Sequence, residues 1–296
     1  MQEAEARRAV AAAMSTASAL GLAVDDAVVL SDSNRLVVRL MPCDVVARVA
    51  PITHFASTER EVELVRLLAA TDSPVATLDP RVEPRVIVRD GFKIALWTYV
   101  EPVPRLPSPG DYVQALERLH GGLRQIDVAT PHFMDRVAAT QRDVANSDVT
   151  PDLADTDRAL LASTLSDLRR SIIDRRPTEQ LLHGEPHPWN VLTTKDGPLF
   201  IDFENTTDGP VEYDLAWVPD EVSERYPDAD QGLVDECRGL VLAIIATHRW
   251  SRGDEHPSGR ESGVAFLDAL RAGPPWPAID SVQWEPHADT EEAAGG

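Results

Sequence analysis

One stretch of the sequence, residues 181–217, concentrates side chains suited to catalysis. Residues 191–201 form two short strand-like runs around a Lys-Asp-Gly turn, which predicts a β-hairpin. Pairing across the hairpin would bring its two ends, Asn190 and Asp202, side by side. An amide oxygen and a carboxylate are ligands that suit Mg²⁺, which keeps substrate phosphates and water as its other ligands. Glu185, on the loop before the hairpin, is placed to accept a proton from a substrate hydroxyl beside the metal.

The same loop allows a second interpretation. His183, Glu185 and His187 are spaced i, i+2, i+4, which places them on one face of a strand, where they could bind zinc or iron. The protein would then be a metal-dependent hydrolase or oxygenase. The H-E-x-x-H type of zinc site needs a helix, which Pro186 and Pro188 exclude. The two prolines also disfavour a regular strand.

The order of motifs resembles that of a known family. His183-Gly184-Glu185, four residues and Asn190 match the kinase loop H-R-D-x-x-x-x-N in spacing, and Asp202-Phe203-Glu204 matches the first two residues of D-F-G. Asp214-Leu215-Ala216 resembles the segment that follows. The sequence thus resembles the aminoglycoside phosphotransferase and choline kinase group, relatives of the protein kinases. The resemblance implies an α+β, two-lobed protein kinase-like fold that uses ATP or GTP and Mg²⁺ to phosphorylate a small molecule.

The resemblance extends more weakly over the first hundred residues. Arg48 stands where the family has a strand lysine that contacts the α and β phosphates. Glu61 stands where the family has the helix partner of that lysine, although it could also be one of many surface acids. The resemblance implies two further sets of nucleotide contacts. The turn residues Ser31, Ser33 and Asn34 would cover the phosphates. The hinge residues Thr98, Tyr99 and Val100 would hold adenine through their backbone.

Two residues depart from the family pattern. Glu185 replaces the usual aspartate, which lengthens its reach by roughly 1.5 Å and changes its unperturbed pKa only from about 3.9 to about 4.3. Arg48 replaces lysine and binds phosphate as a fork rather than a point charge. Because of these departures, a nucleotide-binding pseudokinase without phosphoryl transfer is a further alternative.

Several neighbouring side chains have more than one interpretation. His183 is expected to brace the loop through a hydrogen bond. His187 is expected to touch nucleotide phosphate or substrate, or to be a simple loop histidine. Asp214 is expected to hold the catalytic loop or to cap the helix after it. Glu204 could contact a second metal ion, contact the substrate or face solvent.

Acidic residues are frequent in and after the motif, which bears on the acceptor. If they line the cleft, their summed charge favours a cationic acceptor such as an aminoglycoside. Alternatively, they only share the acidic composition of the whole chain. The residues concerned are Glu204, Asp208, Glu212, Asp220, Glu221 and Glu224. Glu204 and Asp208 are the predicted substrate contacts.

The surrounding patterns predict the elements that position these residues. An alanine-rich helix is predicted near the N-terminus, and strand signals dominate from there to residue 100, with one amphipathic helix at 58–70. A proline-rich stretch follows at 101–110, and apolar periodicity then predicts helices around 113–123, 153–172, 233–245 and 263–272. The sequence therefore predicts a nucleotide-binding N-terminal lobe over 1–100, a C-terminal catalytic and acceptor-binding lobe over 101–283, and a disordered acidic tail over 284–296.

Composition excludes several classes of protein. The 296 residues carry 28 basic and 49 acidic side chains, a net charge of −21. So acidic a chain is not expected to bind nucleic acid, which requires clustered Lys and Arg. No apolar run is long enough to span a membrane, and the N-terminal residues do not resemble an export signal. We therefore expect a cytoplasmic protein with no membrane partner, as a monomer or homodimer.

Overall fold

The computed structural model describes residues 1–32, 35–52, 57–254, 256 and 258–282. Two compact units are formed along the chain. The first contains Met1–Arg105 and Leu192–Asn205, and the second contains Leu106–Val191 and Thr206–Ala288, as far as these ranges are described. The predicted phosphate contacts Ser33 and Asn34 and the predicted tail at 284–296 lie outside the described residues.

The first unit is built on an antiparallel five-stranded sheet with the strand order β1-β2-β3-β5-β4. Its helices are α1 (Glu3–Ala19) and α2 (Ser57–Leu68). The strands are β1 (Val24–Asp32), β2 (Leu36–Pro42), β3 (Val45–Pro51), β4 (Ile87–Arg89) and β5 (Phe92–Thr98). Alternate residues of β2 and β3 are buried, which is the pattern of strands with one face covered.

Helix α1 covers one face of this sheet. Its buried positions are small, namely Ala9, Ala12, Ala13, Thr16 and Ala17. Small side chains allow the helix to approach the sheet closely, and they form one buried cluster with valines and leucines of β2 and β3. The sheet is thereby held as a rigid platform for the residues on its other face.

The predicted hairpin forms, with β7 (Val191–Thr194) paired to β8 (Gly197–Phe200), and from Leu192 onward it belongs to the first unit. Its backbone bonds to two other segments of that unit. Phe200 N–H donates to Pro74 O at 2.8 Å and Phe200 O accepts from Ala76 N–H at 3.1 Å. Val103 N–H donates to Thr193 O at 2.8 Å. These bonds fix the hairpin, and with it the Asp202 segment, within the first unit.

The second unit is mainly helical. Its helices are α3 (Pro109–Leu123), α4 (Phe133–Ala145), α5 (Asp155–Arg175), α6 (Val211–Leu215), α7 (Asp220–Ser223), α8 (Gln231–Arg249) and α9 (Gly259–Ala272). Helix α8 is buried along most of its length and packs against α4, α5, α6 and α9. A short antiparallel pair, β6 (Gln180–Leu182) and β9 (Thr207–Gly209), leads into and out of the motif region.

The sequence prediction omitted helix α4, the short helices α6 and α7, and the strands β6 and β9. The signal for α4 was present, because its buried residues Phe133, Val137, Thr140 and Val144 are spaced i, i+4, i+7, i+11. The strands β6 and β9 have three residues each, too few for an alternation pattern to be seen. In the described part of the chain, no helix is long and apolar enough to cross a membrane.

Candidate functional site

The side chain of Asp214 holds the loop that follows β6. The Asp214 carboxylate accepts the backbone N–H of His183 at 2.9 Å and that of Gly184 at 2.8 Å. Gly184 has φ +94°, a backbone conformation that L residues other than glycine rarely adopt. His183 is fully buried, and its Nδ1 accepts the Glu185 N–H at 3.3 Å. Asp214 and His183 thus both hold the loop through hydrogen bonds. This is the role expected of His183 and one of the two roles expected of Asp214.

A buried chain of polar groups supports Asp214 in turn. His120, on α3, places Nε2 3.0 Å from Asp214 Oδ2 and Nδ1 2.8 Å from the Tyr226 hydroxyl. His120 and Asp214 are fully buried. Burial raises the pKa of Tyr226 to about 12, so its hydroxyl stays neutral and can donate to His120. The side-chain polar atoms of Asp214, His120 and Tyr226 therefore all have a hydrogen-bond partner, as buried polar groups require.

Glu185 and Asn190, on the same loop, are both half-buried. Asn190 Nδ2 donates to the backbone oxygen of Glu185 at 2.9 Å, which ties these two motif residues together. The Glu185 carboxylate forms an ion pair with Arg136, with Nη1 2.5 Å from Oε1. His187 lies beside them, with its Nε2 3.4 Å from Asn190 Nδ2 and its ring 5.5 Å from the Trp189 ring.

In the first unit, Glu61 is the centre of an ionic network. Its carboxylate is 1% exposed and accepts from Arg48, from Arg35 and from the backbone N–H of Phe203, the last at 3.1 Å. Arg48 also places Nη2 2.9 Å from Asp202 Oδ1. Glu61 is therefore the partner of Arg48 rather than a surface acid.

The network includes a second arginine that the sequence analysis did not single out. Arg35 is 5% exposed and forks between two carboxylates, with Nη1 2.5 Å from Glu61 Oε2 and Nη2 in a short ion pair with Glu204. Burial raises the pKa of Glu204, and the charge of Asp202 adds to the rise, while the pair with Arg35 opposes it. Glu204 is thus mostly buried and paired with Arg35 rather than facing solvent.

Charge within the network keeps Arg48 protonated. Burial disfavours the charged guanidinium, but the negative charges of Glu61 and Asp202 outweigh burial and raise the pKa of Arg48 above its ordinary value. Asp202 itself is about one-third exposed and has φ +66°, a left-handed conformation that is uncommon for a non-glycine residue. This backbone turn directs its carboxylate toward Arg48.

Asn190 and Asp202 each carry an oxygen donor of the kind that Mg²⁺ prefers. Asn190 uses its amide nitrogen in the bond to Glu185, so the oxygen Oδ1 is the atom that it can offer to a cation. Asp202 supplies a carboxylate that is partly exposed. Hard oxygen ligands, few in number, are typical of magnesium sites completed by phosphates and water.

The alternative metal site has no support in the geometry. Among the described side chains, no three His, Cys, Asp or Glu residues are grouped so as to hold a metal ion. His183 is buried, and its Nδ1 is used within the loop. The hydrolase interpretation, which required His183, Glu185 and His187 to converge, therefore loses its basis.

The remaining predicted nucleotide contacts lie in the first unit. Ser31 is near the end of β1, paired with Val37. Thr98 ends β5, and its N–H donates to Thr77 O at 2.9 Å. The Tyr99 N–H donates to Asp44 O at 3.4 Å. Two of the three predicted hinge residues, Thr98 and Tyr99, thus already use their backbone donors within the unit.

The acidic residues of the second unit are partly used in structural bonds. Asp208 lies on β9 and accepts from the Thr130 hydroxyl at 3.1 Å. Glu212 is buried and accepts the Asp230 N–H at 3.2 Å. Asp220 pairs with Arg238 at 2.6 Å. Glu221 and Glu224 are exposed.

Comparison with known proteins decides the family. A family model described as "Phosphotransferase enzyme family" matches residues 23–239, well over half of the chain. The chain belongs to this family. It is accordingly a phosphotransferase that acts on a hydroxyl acceptor, as the motif resemblance implied. A search of curated proteins finds no match.

Several solved structures share the fold of this phosphotransferase. Amicoumacin kinase hAmiN, in complex with AMP-PNP, Ca²⁺ and Ami, is 12% identical with a TM-score of 0.66, over 95% of this chain and 99% of the other. The GDP complex of wild-type aminoglycoside 2'-phosphotransferase-IIIa is 14% identical with a TM-score of 0.65, over 92% and 99%. A choline/ethanolamine kinase family protein from Mesorhizobium loti is 16% identical with a TM-score of 0.62, over 92% and 94%. The predicted kinase-like fold, with a β-rich N-terminal part and a larger helical C-terminal part, is confirmed.

Arg35 gives a first prediction for this phosphotransferase. Arg35→Met should lower the thermal unfolding midpoint strongly, because it leaves Glu61 and Glu204 buried with one cation fewer. Removing one partner of a buried ion pair typically costs about 3–5 kcal/mol. The matched control is Arg7→Met, which breaks the exposed pair of Arg7 with Glu3 and should leave the midpoint nearly unchanged. Equal midpoints for the two variants would contradict the structural role of Arg35.

Proposed function

We propose that this phosphotransferase transfers the γ-phosphate of ATP or GTP to a hydroxyl of a small molecule, with Glu185, Asn190 and Asp202 as its catalytic residues. The observation that carries the proposal is the bond from Asn190 Nδ2 to the Glu185 backbone oxygen, on a loop that Asp214 holds. This bond fixes the spacing between the two motif residues that the kinase-like sequence pattern assigns to proton transfer and metal binding.

In this proposal Glu185 acts on the acceptor. Its carboxylate accepts a hydrogen bond from the acceptor hydroxyl and takes the proton as the oxygen bonds to the γ-phosphorus and the bond from that phosphorus to the nucleoside diphosphate breaks. In phosphoryl transfer most catalysis comes from positioning and charge stabilisation. A glutamate can therefore replace the usual aspartate, provided that the carboxylate itself is held in place.

Asn190 and Asp202 would hold Mg²⁺ through Asn190 Oδ1 and the Asp202 carboxylate. When bound, the ion neutralises charge on the phosphate oxygens. Arg48, which Glu61 holds in place, would contact the α and β phosphates as a fork. We assign Ser31, Ser33 and Asn34 to the phosphates, Thr98, Tyr99 and Val100 to the nucleotide base, and His187 to a nucleotide phosphate or the substrate.

The nucleotide and the acceptor class are tested by one screen. Relatives of the same fold have been solved with AMP-PNP and with GDP, which supports trying both ATP and GTP as donors. A panel of hydroxyl acceptors that includes aminoglycosides, other antibiotics, choline-like alcohols and sugars would be incubated with radiolabelled ATP or GTP. Transfer of label to at least one acceptor is the expected result. Nucleotide binding without transfer to any acceptor would contradict the proposal.

That contrary outcome corresponds to a second candidate function, a nucleotide-binding pseudokinase. The observation that favours it is the ion pair of Arg48 with Asp202 Oδ1 at 2.9 Å, because this pair occupies an oxygen of the proposed metal ligand. Magnesium titration separates the two candidates. A catalyst should bind Mg²⁺ together with nucleotide and turn over, whereas the pseudokinase should bind nucleotide with little dependence on Mg²⁺.

We further propose that the acceptor is cationic. The net charge of −21 favours such an acceptor, and so do the acidic residues Asp208, Glu221 and Glu224 of the second unit. Glu204 would add to this charge on opening of its pair with Arg35. The KM for the best acceptor should rise between low and physiological ionic strength, because salt screens the summed attraction. The control is the KM for the nucleotide·Mg²⁺ complex measured at the same salt concentrations. A flat acceptor KM, or a neutral or anionic best acceptor, would overturn the cationic class and leave phosphoryl transfer standing.

A further inference from the structure

Helix α4, which the sequence prediction omitted, supplies an arginine to the motif region of the second unit. Arg136 Nη1 lies 2.5 Å from Glu185 Oε1. The Glu185 side chain is 15% exposed and the Arg136 side chain 36% exposed, so the pair lies at the edge of the interior. Arg136 lies outside the motifs that carry the family resemblance, which all fall between His183 and Ala216.

Arg136 is itself held by aromatic side chains. Its guanidinium carbon lies 5.4 Å from the centre of the Trp217 ring, within the range of a cation–π contact. Burial raises the pKa of Tyr213, an adjacent side chain, to about 12, although the positive charge of Arg136 opposes the rise. Tyr213 therefore stays neutral and does not compete with Glu185 as an anionic partner.

The charge state of Arg136 suits a holding role. Burial disfavours its charged form, but the charge of Glu185 outweighs burial and raises the pKa of Arg136 above its ordinary value. A permanently protonated arginine donates hydrogen bonds and accepts none. It can therefore orient the Glu185 carboxylate without taking the proton that Glu185 is proposed to remove.

The extra length of the glutamate side chain explains why an arginine that fixes its carboxylate is useful. Compared with aspartate, Glu185 has one more rotatable bond, so fixing its side chain in one conformation costs more conformational entropy. If this loss occurred only in the transition state, it would slow the reaction. A pair formed beforehand with Arg136 fixes the carboxylate before the substrate binds.

We propose that Arg136 is a positioning residue that fixes the Glu185 carboxylate for the acceptor hydroxyl and so makes glutamate competent where the family pattern has aspartate. This inference rests on the proposed role of Glu185. Arg136 acts on the chemical step through Glu185 and not on nucleotide binding.

The test begins with Arg136→Ala. The kcat should fall by about 10–10²-fold, the cost of a displacement of roughly 1 Å at a reacting group, while the KM for nucleotide stays near that of the wild type. Arg136→Lys, which keeps the charge and part of the reach, should recover part of the lost kcat. Added guanidinium ion should raise the kcat of Arg136→Ala and leave the wild type unaffected. Arg142→Ala, an exposed arginine on the same helix, is the matched control and should keep the wild-type kcat.

A double-mutant cycle separates positioning from a general effect on the fold. Glu185→Asp withdraws the carboxylate by roughly 1.5 Å, out of reach of Arg136, so Arg136→Ala should cause little further loss in that background. Equal losses in both backgrounds, or a wild-type kcat in Arg136→Ala, would overturn the inference. If Arg136→Ala does not fold, as judged by thermal melting, the cycle is run with Arg136→Lys and read in the same way.

The same data distinguish this inference from the proposed function. Full activity in Glu185→Gln would remove the role of Glu185, and with it the basis of both proposals. A large loss in Glu185→Gln with none in Arg136→Ala would overturn only the positioning role and leave the base assignment intact.

Discussion

Asp202→Ala is expected to abolish phosphoryl transfer while leaving the protein folded. The proposed metal ligand would be lost, and a bound metal ion supplies several kcal/mol of transition-state stabilisation. Since each 1.36 kcal/mol changes the rate tenfold, turnover should fall by at least about 10³-fold. The fold should persist because Asp202 is about one-third exposed and Glu61 remains to pair with Arg48. Turnover is measured over a range of Mg²⁺ concentrations, with thermal melting as the check on folding.

The hairpin offers a matched control for this variant. Asp196 lies in the turn of the same hairpin and is exposed, so Asp196→Ala removes a carboxylate from the same local structure without touching the proposed site. It should retain wild-type turnover and wild-type dependence on Mg²⁺. Unchanged turnover in Asp202→Ala would show that the kinase-like motif match at this position is coincidental.

Glu185→Gln should lower turnover by roughly 10²–10⁴-fold, the usual range for the removal of a general base. Glutamine keeps the size and polarity of the side chain but takes no proton. Nucleotide affinity should change little, because the proposed nucleotide contacts other than His187 belong to the first unit, whereas Glu185 belongs to the second. Single-turnover kinetics together with equilibrium nucleotide binding separate these two effects.

Glu179→Gln is the control for the loss of a carboxylate near α4. Glu179 is exposed and pairs with His132, the residue that precedes α4, at 3.1 Å. Like Glu185, it therefore pairs with a residue in or next to α4. Unlike Glu185, it lies before β6 and outside the loop that follows this strand. Activity near that of wild type in both Glu179→Gln and Glu185→Gln would refute the base assignment. A loss in Glu185→Gln alone supports it.

The local parts of the site could be predicted from sequence because their geometry is set by short-range structure. A turn between two strands places Asn190 and Asp202 at the ends of a hairpin whatever the rest of the chain does. The same holds for the loop residues Glu185 and His183, whose spacing from Asn190 is fixed by the motif. The strand meander and the amphipathic helix α2 likewise follow from periodicity within a short window.

The charge partners could not be predicted in the same way. Arg35 and Arg136 look like ordinary surface arginines in the sequence, and only tertiary packing brings them to Glu204 and Glu185. Glu204 shows the converse, since three roles were considered for it and an ion pair with a buried arginine was not among them. An ionic partner drawn from a distant element leaves no periodic or local signal, so its identity depends on the folded chain.

The chain order of the first unit limits how the gene could be recombined. Leu192–Asn205 belongs to that unit but is encoded between the two segments of the second, and its hairpin bonds to the backbone near Val75 and at Val103. A single crossover after Arg105 would join one parent's sheet to another parent's hairpin. Exchange of this unit between distant relatives therefore requires three crossovers, after Arg105, before Leu192 and after Asn205, so the two segments are expected to be inherited together.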